Sequence, residues 1–235
     1  MKYKILFLFL MIKAYSQNKY VIDNISDKFY FEITGKLIKN SFSCGKNEMD
    51  DCKIKIFNKK DKKFLQEVIS DVFMFDLKNN KVCINKVQLD NCNPIIFYDF
   101  NFDGMNDLAI RNGDNYQQGP NYDFYFYNNK NKKFLKNQQL SSICIEGSGL
   151  FKIDSNKKKI KLNDGGFQYN STSIYEFNTK SNEFKKIIQI DVMASGEKIK
   201  YIEKHFKDKK KSKLLFFKSD DVNYDKIQKK IDKIW

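Results

Sequence analysis

The sequence contains little proline, and this scarcity helps to define its class. Only two of the 235 residues are proline, whereas aromatic residues make up 15%. Disordered chains show the opposite balance, because they lack the aromatic side chains that build a core. The composition therefore predicts a folded protein, long enough for one large or two small domains with a buried core.

Arginine is almost absent, although the chain is strongly basic. The formal net charge is +14, and Arg111 is the only arginine among 43 basic residues. Proteins that bind nucleic acid usually combine lysine with arginine, whose guanidinium group holds phosphate through two hydrogen bonds. Lysine, asparagine, isoleucine and phenylalanine are abundant together, as an AT-rich coding bias would produce. The charge alone is therefore not taken to predict a nucleic-acid partner.

Histidine is nearly missing as well, which disfavours several catalytic classes. The single histidine, His205, lies at a lysine-rich strand end, where we expect an exposed side chain rather than the centre of a triad. The glycines match no nucleotide-binding motif. Paired carboxylates of the glycosidase type remain an alternative, because sequence spacing does not fix their distance in space. The sequence predicts a protein that is not an enzyme.

Long hydrophobic runs are absent beyond the N-terminus. Two early lysines, the apolar residues 5–12 and the small-x-small triplet 14–16 predict a signal peptide over residues 1–16. A buried first strand is the alternative interpretation. No cysteine follows the predicted cleavage point, so we expect no lipid anchor. Cleavage would remove three lysines and no acidic residue, leaving a charge of +11. We expect an exported protein, periplasmic or extracellular, soluble after cleavage and without a transmembrane segment.

Five cysteines in an exported chain suggest disulfide bonds. Cys44 and Cys52 flank one polar loop, and Cys83 and Cys92 flank another, so two local bridges are predicted, with Cys144 left over and buried. Each bridge would stabilise the fold by roughly 2–3 kcal/mol. A zinc site is the alternative, but no Cys-x-x-Cys pattern exists and the only histidine is distant in sequence.

Alternating apolar residues predict strands separated by short polar turns. Residues 28–39 and 53–57 alternate in this way. Residues 56–64, 126–134 and 176–184 repeat one pattern of strand, polar turn, aromatic and strand, and residues 153–160 are a looser fourth case. Because the three starts lie 70 and 50 residues apart, no fixed-period repeat is indicated. The lysine-rich tips suggest solvated turns that protect strand edges, with a basic binding surface as the alternative.

The C-terminal residues follow a different period. Apolar residues at Tyr224, Ile227, Ile231, Ile234 and Trp235 have helical spacing. We expect a helix over residues 219–235 that packs on a β domain of residues 17–218, or alternatively binds a partner or a membrane surface. The predicted fold class is mainly β, an antiparallel, hairpin-rich sandwich or barrel-like sheet with a C-terminal α-helix.

The most informative stretch is the loop 99–107, which has the spacing of a calcium site. Its candidate ligands are the side chains of Asp99, Asn101, Asp103 and Asp107 and the backbone carbonyl of Met105. Gly104 permits the sharp turn. An EF-hand would need glutamate at position 12 of the loop and flanking helices, but that position is Ile110 and both flanks predict strands. The alternative is a metal-free turn rich in Asn and Asp.

The segment from Tyr98 to Leu108 resembles the integrin-type FG-GAP calcium loop. It is more similar to a bacterial family of secreted or periplasmic calcium-binding proteins, which includes inhibitors and immunity proteins directed at lysozyme-like enzymes. The similarity continues through residues 119–127, 133–134 and 165–175, and it covers roughly residues 50–190. The resemblance implies an antiparallel β fold with a structural Ca²⁺, and inhibition of a peptidoglycan hydrolase by blocking its cleft.

Two functional hypotheses follow from these observations. The first is an exported calcium-binding β protein that inhibits a lysozyme-like enzyme or toxin, which would be its protein partner. The second is a calcium-dependent surface or adhesion module that binds glycan or protein. Both require Ca²⁺, and neither requires nucleic acid or a catalytic residue.

Overall fold

A computed structural model defines the fold for most of the chain. It describes residues 18–38, 41–45, 52–78, 81–82, 93–115, 119–147, 149–166, 169–195, 198–206, 212–218, 229, 231–233 and 235. The predicted signal peptide and the pair Cys83 and Cys92 lie outside these residues. No helix among them is both long and apolar enough to cross a membrane.

The described strands form three open antiparallel sheets. The first contains β1 (Asn18–Ile22), β2 (Phe29–Ile38), β3 (Ser41–Gly45), β4 (Cys52–Asn58), β5 (Phe64–Ser70), β6 (Val72–Lys78) and β7 (Lys81–Val82). The second contains β8 (Ile95–Tyr98), β9 (Asp107–Asn115), β10 (Gly119–Asn128) and β11 (Lys133–Lys136). The third contains β12 (Lys152–Asp154), β13 (Lys159–Gly166), β14 (Tyr169–Asn178), β15 (Glu183–Ser195), β16 (Lys198–His205) and β17 (Ser212–Lys218). One helix, α1 (Gln138–Ile145), joins the second sheet to the third.

The second sheet is the centre of the molecule because both of its faces are buried. Ile95, Leu108 and Ile110 pack against the apolar face of the first sheet. Their sequence neighbours Ile96 and Ala109 point the other way, toward α1 and the third sheet. Residues 122–126 of β10 are buried without interruption, as expected for a strand covered on both sides.

The third sheet is a meander in strand order, and the C-terminal residues cover one of its faces. Ile231 is buried in a cluster with Ile190 and Tyr201, and it lies in the part of the C-terminal segment that is helical. Lys161, only 5% exposed, forms an ion pair with Asp232 at 3.2 Å. The short C-terminal helix therefore packs on the sheet, as predicted; residues 219–228 lie outside the described part.

The helix α1 is absent from the sequence-based prediction. Its apolar residues Leu140, Ile143 and Cys144 are buried between the second and third sheets. Asn137 is the N-cap, and its side chain accepts a hydrogen bond from the Leu140 backbone N–H at 2.8 Å. The i, i+3, i+4 spacing and the asparagine cap were the available signals, but they extend over only eight residues.

The recurring hairpins share one turn conformation. The side-chain oxygens of Asn58, Asn128 and Asn178 each accept a hydrogen bond from the backbone N–H two residues later, at 2.9–3.0 Å. Four residues after each asparagine, the backbone turns left-handed, with φ of 51–56° at Lys62, Lys132 and Asn182. The repeated sequence pattern therefore encodes a repeated turn. The fourth hairpin, β12–β13, resembles it, with Lys158 at φ 52°.

Two glutamines hold consecutive hairpins together by extending their outer edges. The Gln66 amide donates to the Phe134 carbonyl at 3.0 Å and accepts from the Phe134 N–H at 2.7 Å. Gln139 of α1 makes the same pair of bonds with Phe184, at 2.9 and 2.8 Å. A side-chain amide thus replaces the neighbouring strand at both positions, and it satisfies backbone groups that would otherwise lose their partners.

The prediction of a mainly β, antiparallel and hairpin-rich fold is confirmed, whereas a barrel-like closed sheet does not form among the described strands. Cys144 is free and buried, as predicted. Cys52 is buried and disulfide-bonded. The side chains of Cys44, Cys83 and Cys92 are outside the described residues, so the two predicted pairings stay predictions.

Replacing either clamping glutamine should weaken the fold measurably. We expect Gln66→Ala and Gln139→Ala each to lower the free energy of unfolding by about 1–2 kcal/mol, because two backbone groups lose their partner. Urea denaturation measures this loss. Gln138→Ala is the matched control, since Gln138 is exposed and precedes Gln139 in α1. Equal stability of all three variants would show that the amide bonds contribute nothing net.

Candidate functional site

The loop 99–106 lies at one end of the central sheet. It leaves β8 after Tyr98 and enters β9 at Asp107, and these two residues are paired across the strands. The strands on both sides are those predicted from the sequence. The loop is therefore held at a fixed position by a sheet that is buried on both faces.

Three of the predicted ligands converge inside this loop. The side-chain oxygens of Asp99 and Asn101 both accept a hydrogen bond from the Asp103 N–H, at 3.1 and 3.0 Å. The Asn101 amide nitrogen also donates to the Asp103 carboxylate at 2.9 Å. These hydrogen bonds bring three oxygen-bearing side chains together in one turn.

The backbone of the loop is wound tightly around these side chains. Asp99 also accepts a hydrogen bond from the Gly104 N–H at 2.8 Å. Gly104 has φ +87° and open space where a Cβ would stand, so its conformation, and not crowding, favours glycine there. Phe102 is left-handed as well, with φ 59°. A bulky residue rarely adopts this conformation, so neighbouring contacts must hold it in place.

Those contacts are aromatic and fix the loop to the core. Phe100 is fully buried, and its ring lies 4.9 Å from that of Phe124. The ring of Phe102 lies 5.9 Å from Phe177 and 6.3 Å from Phe184 in the third sheet. The two loop phenylalanines therefore anchor the loop to two sheets, a role that the sequence pattern did not reveal.

Asp107 is placed differently from the other predicted ligands. It is fully buried, and one carboxylate oxygen accepts hydrogen bonds from the N–H groups of Phe100 and Asn101, at 3.0 and 3.3 Å. The other oxygen accepts from the Tyr127 N–H of β10 at 2.8 Å. The side chain therefore fastens the loop to two neighbouring strands, a role that its position in the sequence pattern did not reveal.

The electrostatics of Asp107 follow from this burial. Loss of solvent raises the pKa of the Asp107 carboxyl to about 7. The N–H donors oppose this rise, and the negative charge of Asp103 reinforces it.

Within the described residues, no three acidic, histidine or cysteine side chains converge as a metal-binding group. Asp99, Asn101 and Asp103 are brought together in one turn. The metal-ligand roles of these three residues, and those of Met105 and Asp107, stay predictions.

The other candidate chemistry is found elsewhere. His205 is partly exposed rather than fully exposed, and its Nε2 lies 2.7 Å from the Glu203 carboxylate. The second oxygen of that carboxylate accepts a hydrogen bond from the Tyr201 hydroxyl at 2.8 Å. The histidine therefore belongs to a side-chain network that joins β16 residues. No serine or cysteine among the described residues is hydrogen-bonded to it.

An open groove of about 540 Å³ lies beside the β14–β15 turn. It is lined by residues 176–180, residues 185–187 and the half-exposed ring of Phe206. Its charged side chains are three lysines and one glutamate. These groups could hold an anionic or apolar segment, and they do not form an acid–base pair with a nucleophile.

Comparisons with known proteins place the fold. The structure is similar to a solved structure described as a Xanthomonas type IV secretion system related protein, with a TM-score of 0.64 and 19% sequence identity. The match covers 86% of this chain and 95% of the other. No protein-family model matches the chain, and no curated protein does. At this identity the similarity shows a shared fold.

Asp107 should be required for stability even without metal. In EDTA, we expect Asp107→Ala to lower the free energy of unfolding by about 2–4 kcal/mol, because three backbone N–H groups lose their acceptor in a buried place. Urea unfolding in EDTA measures it.

Asp103→Ala is the control, because Asp103 lies in the same loop and is exposed to solvent. We expect it to change the unfolding free energy by less than about 1 kcal/mol in EDTA. Similar small losses for both variants would contradict the structural role of Asp107.

Proposed function

We propose that this chain is an exported, non-enzymatic, calcium-binding protein that inhibits a lysozyme-like peptidoglycan hydrolase. The observation that carries the proposal is the loop 99–107, a short oxygen-rich turn fixed to the central sheet by Asp107 and by two phenylalanines. Its sequence is also the part that resembles the family of inhibitors and immunity proteins.

The shared fold is compatible with an exported protein. The structurally similar protein is described as related to a type IV secretion system, and it matches this chain over nearly its full length. An inhibitor that acts on exported hydrolases would have to work on the same side of the membrane as they do. The predicted signal peptide would bring this chain there.

Calcium would be held by the three converging side chains of Asp99, Asn101 and Asp103. When bound, the ion would neutralise the carboxylates and stabilise the loop, which is a structural role. The chain's own groups already pre-organise the site, since Gly104 and Met105 donate their backbone N–H groups to Asp99 and Asp103 at 2.8 Å. The remaining ligands would come from water, the Met105 carbonyl or a small movement of Asp107.

The absence of catalysis is part of the proposal and is supported by the placement of His205. Its imidazole is engaged with Glu203, which also accepts a hydrogen bond from Tyr201. Inhibition needs only a stable surface that fits the hydrolase cleft, and it needs no catalytic residue on the inhibitor.

Calcium should stabilise the protein modestly and selectively. With a dissociation constant of roughly 10⁻⁴–10⁻³ M, as in extracellular calcium modules, ~1 mM Ca²⁺ adds about 0.4–1.4 kcal/mol. For a chain of this size the melting temperature should rise by about 1–5 °C relative to EDTA. Differential scanning calorimetry with Ca²⁺, Mg²⁺ and EDTA measures this rise.

The matched variant is Asp99→Asn combined with Asp103→Asn, which removes two charges and keeps side chains of the same size. It should melt at one temperature in Ca²⁺ and in EDTA. A rise that persists in this variant, or one that Mg²⁺ reproduces, would contradict the calcium site.

Inhibition should be visible with purified enzymes. We expect the protein to reduce turbidity clearance of peptidoglycan by at least one member of a panel of lysozyme-like hydrolases, with one-to-one stoichiometry, because a cleft admits one inhibitor. Isothermal titration calorimetry would then give the affinity of that pair. Binding to isolated cell-wall polysaccharide without inhibition of any hydrolase would instead support the adhesion-module hypothesis.

A further inference from the structure

Four hairpin turns lie at the same end of the molecule as the loop 99–106, and three of them are rich in lysine. Tyr127, which leads into the turn 128–133, donates its backbone N–H to Asp107 at the end of the loop. Phe177 and Phe184 flank the turn 178–183, and both contact Phe102 within the loop.

The other two turns are tied to the same end. In the turn 154–159, the Ser155 hydroxyl lies 3.0 Å from the Tyr98 hydroxyl, next to the loop. The Lys59 N–H of the turn 58–63 bonds to the Lys28 carbonyl at 2.8 Å. The neighbouring Phe29 ring lies 5.8 Å from that of Tyr127. We name these four turns together the lysine face.

The lysine face concentrates positive charge. Its 24 residues contain eleven lysines and three acidic residues. The described turn between β5 and β6, at the opposite end of the first sheet, contains Asp71 and no lysine. A uniform coding bias would not place a quarter of the lysines in a tenth of the chain on one side of the fold.

Three of these lysines are presented identically. Lys60, Lys130 and Lys180 are exposed, and each follows its asparagine by two residues in the shared turn. Their backbone N–H groups are held by the asparagine side chains, while no carboxylate among the described residues pairs with their ammonium groups. The free ammonium groups therefore project a positive potential from turns that are already ordered. On binding, the lysine side chains lose conformational entropy but the turn backbones do not.

We propose that the lysine face is the surface that binds an acidic protein partner. This inference rests on the proposed function for the identity of that partner: the hydrolase that the chain inhibits presents an acidic surface around its cleft. A protein of mature charge +11 would be repelled by a basic lysozyme, so complementary charge is needed for rapid encounter.

An acidic protein fits the lysine face better than an anionic membrane or a nucleic acid does. The tips consist of lysine, asparagine, aspartate, glutamate, serine and threonine, so they offer no aromatic or aliphatic side chain to insert into a lipid bilayer. They contain no arginine for bidentate contacts with nucleic-acid phosphates.

The test uses two variants of equal net charge. Lys130→Glu with Lys180→Glu changes the lysine face, and Lys53→Glu with Lys198→Glu changes exposed lysines away from the four turns. Each pair lowers the formal charge by four. On a polyglutamate column, which imitates an acidic protein surface, we expect the first variant to elute at a clearly lower salt concentration than the second. Coincident elution would overturn the lysine face as a binding surface.

A second measurement uses the hydrolase that the protein inhibits best. By stopped-flow in 50 mM salt, the first variant should associate at least about tenfold more slowly than the wild type, and the control variant should stay within about threefold. Equal inhibition and equal association rates for both variants would overturn the inference while the proposed function stands. Binding to polyglutamate without inhibition of any hydrolase would overturn the proposed function and leave the acidic-partner surface intact.

Vesicles of phosphatidylglycerol supply the last comparison. We expect weaker salt-resistant binding to these vesicles than to polyglutamate. Stronger binding to the vesicles than to polyglutamate, abolished in the Lys130→Glu and Lys180→Glu variant but not in the control variant, would overturn the assignment to a protein. It would identify a membrane surface as the ligand. Thermal melting of both variants in the same buffer shows whether each is folded, so a loss of binding can be separated from a loss of structure.

Discussion

The rest of this end of the molecule depends on the hydrogen bonds that the buried Asp107 carboxylate accepts. It accepts three backbone hydrogen bonds, two from the loop that precedes it and one from β10. A buried anion is costly unless such donors surround it, so the arrangement is stable only when the loop and both strands are in place together. The loop and the adjoining edge of the central sheet are therefore expected to form cooperatively.

A second constraint is that the central sheet is covered on both faces. Such a sheet can be stable only if each neighbour is held in register beside it, and the clamping glutamines do this at the hairpin edges. The aromatic rings of the hairpins then pack across the sheet boundaries, as between Phe29 and Phe134 at 5.3 Å. The turns thus follow one repeated local pattern, whereas the glutamine bonds and the aromatic contacts join segments that are distant in the sequence.

The difference between local patterns and long-range contacts explains what the sequence could predict. Alternation identified strands such as β2, where Phe29, Phe31 and Ile33 are all buried, because one face of that sheet is apolar. It could not predict that the second sheet is covered on both sides, since an uninterrupted apolar run carries no period. The hairpin turns were predictable from their asparagines and lysines. The helix α1 was not predicted, because its three buried apolar residues were too few to stand out.

The candidate site shows the same limit at a finer scale. The sequence placed Asp99, Asn101 and Asp103 in one turn correctly, because their spacing is local. It could not show that Asp107 bonds to Tyr127, or that Phe102 contacts the third sheet, because both contacts join distant parts of the chain. The lysine tips are the reverse case: each is an ordinary solvated turn by itself, and only the fold brings the four together around an acidic loop. Charge that is unremarkable in the sequence becomes directional in space, which is why a binding role for it follows from the structure.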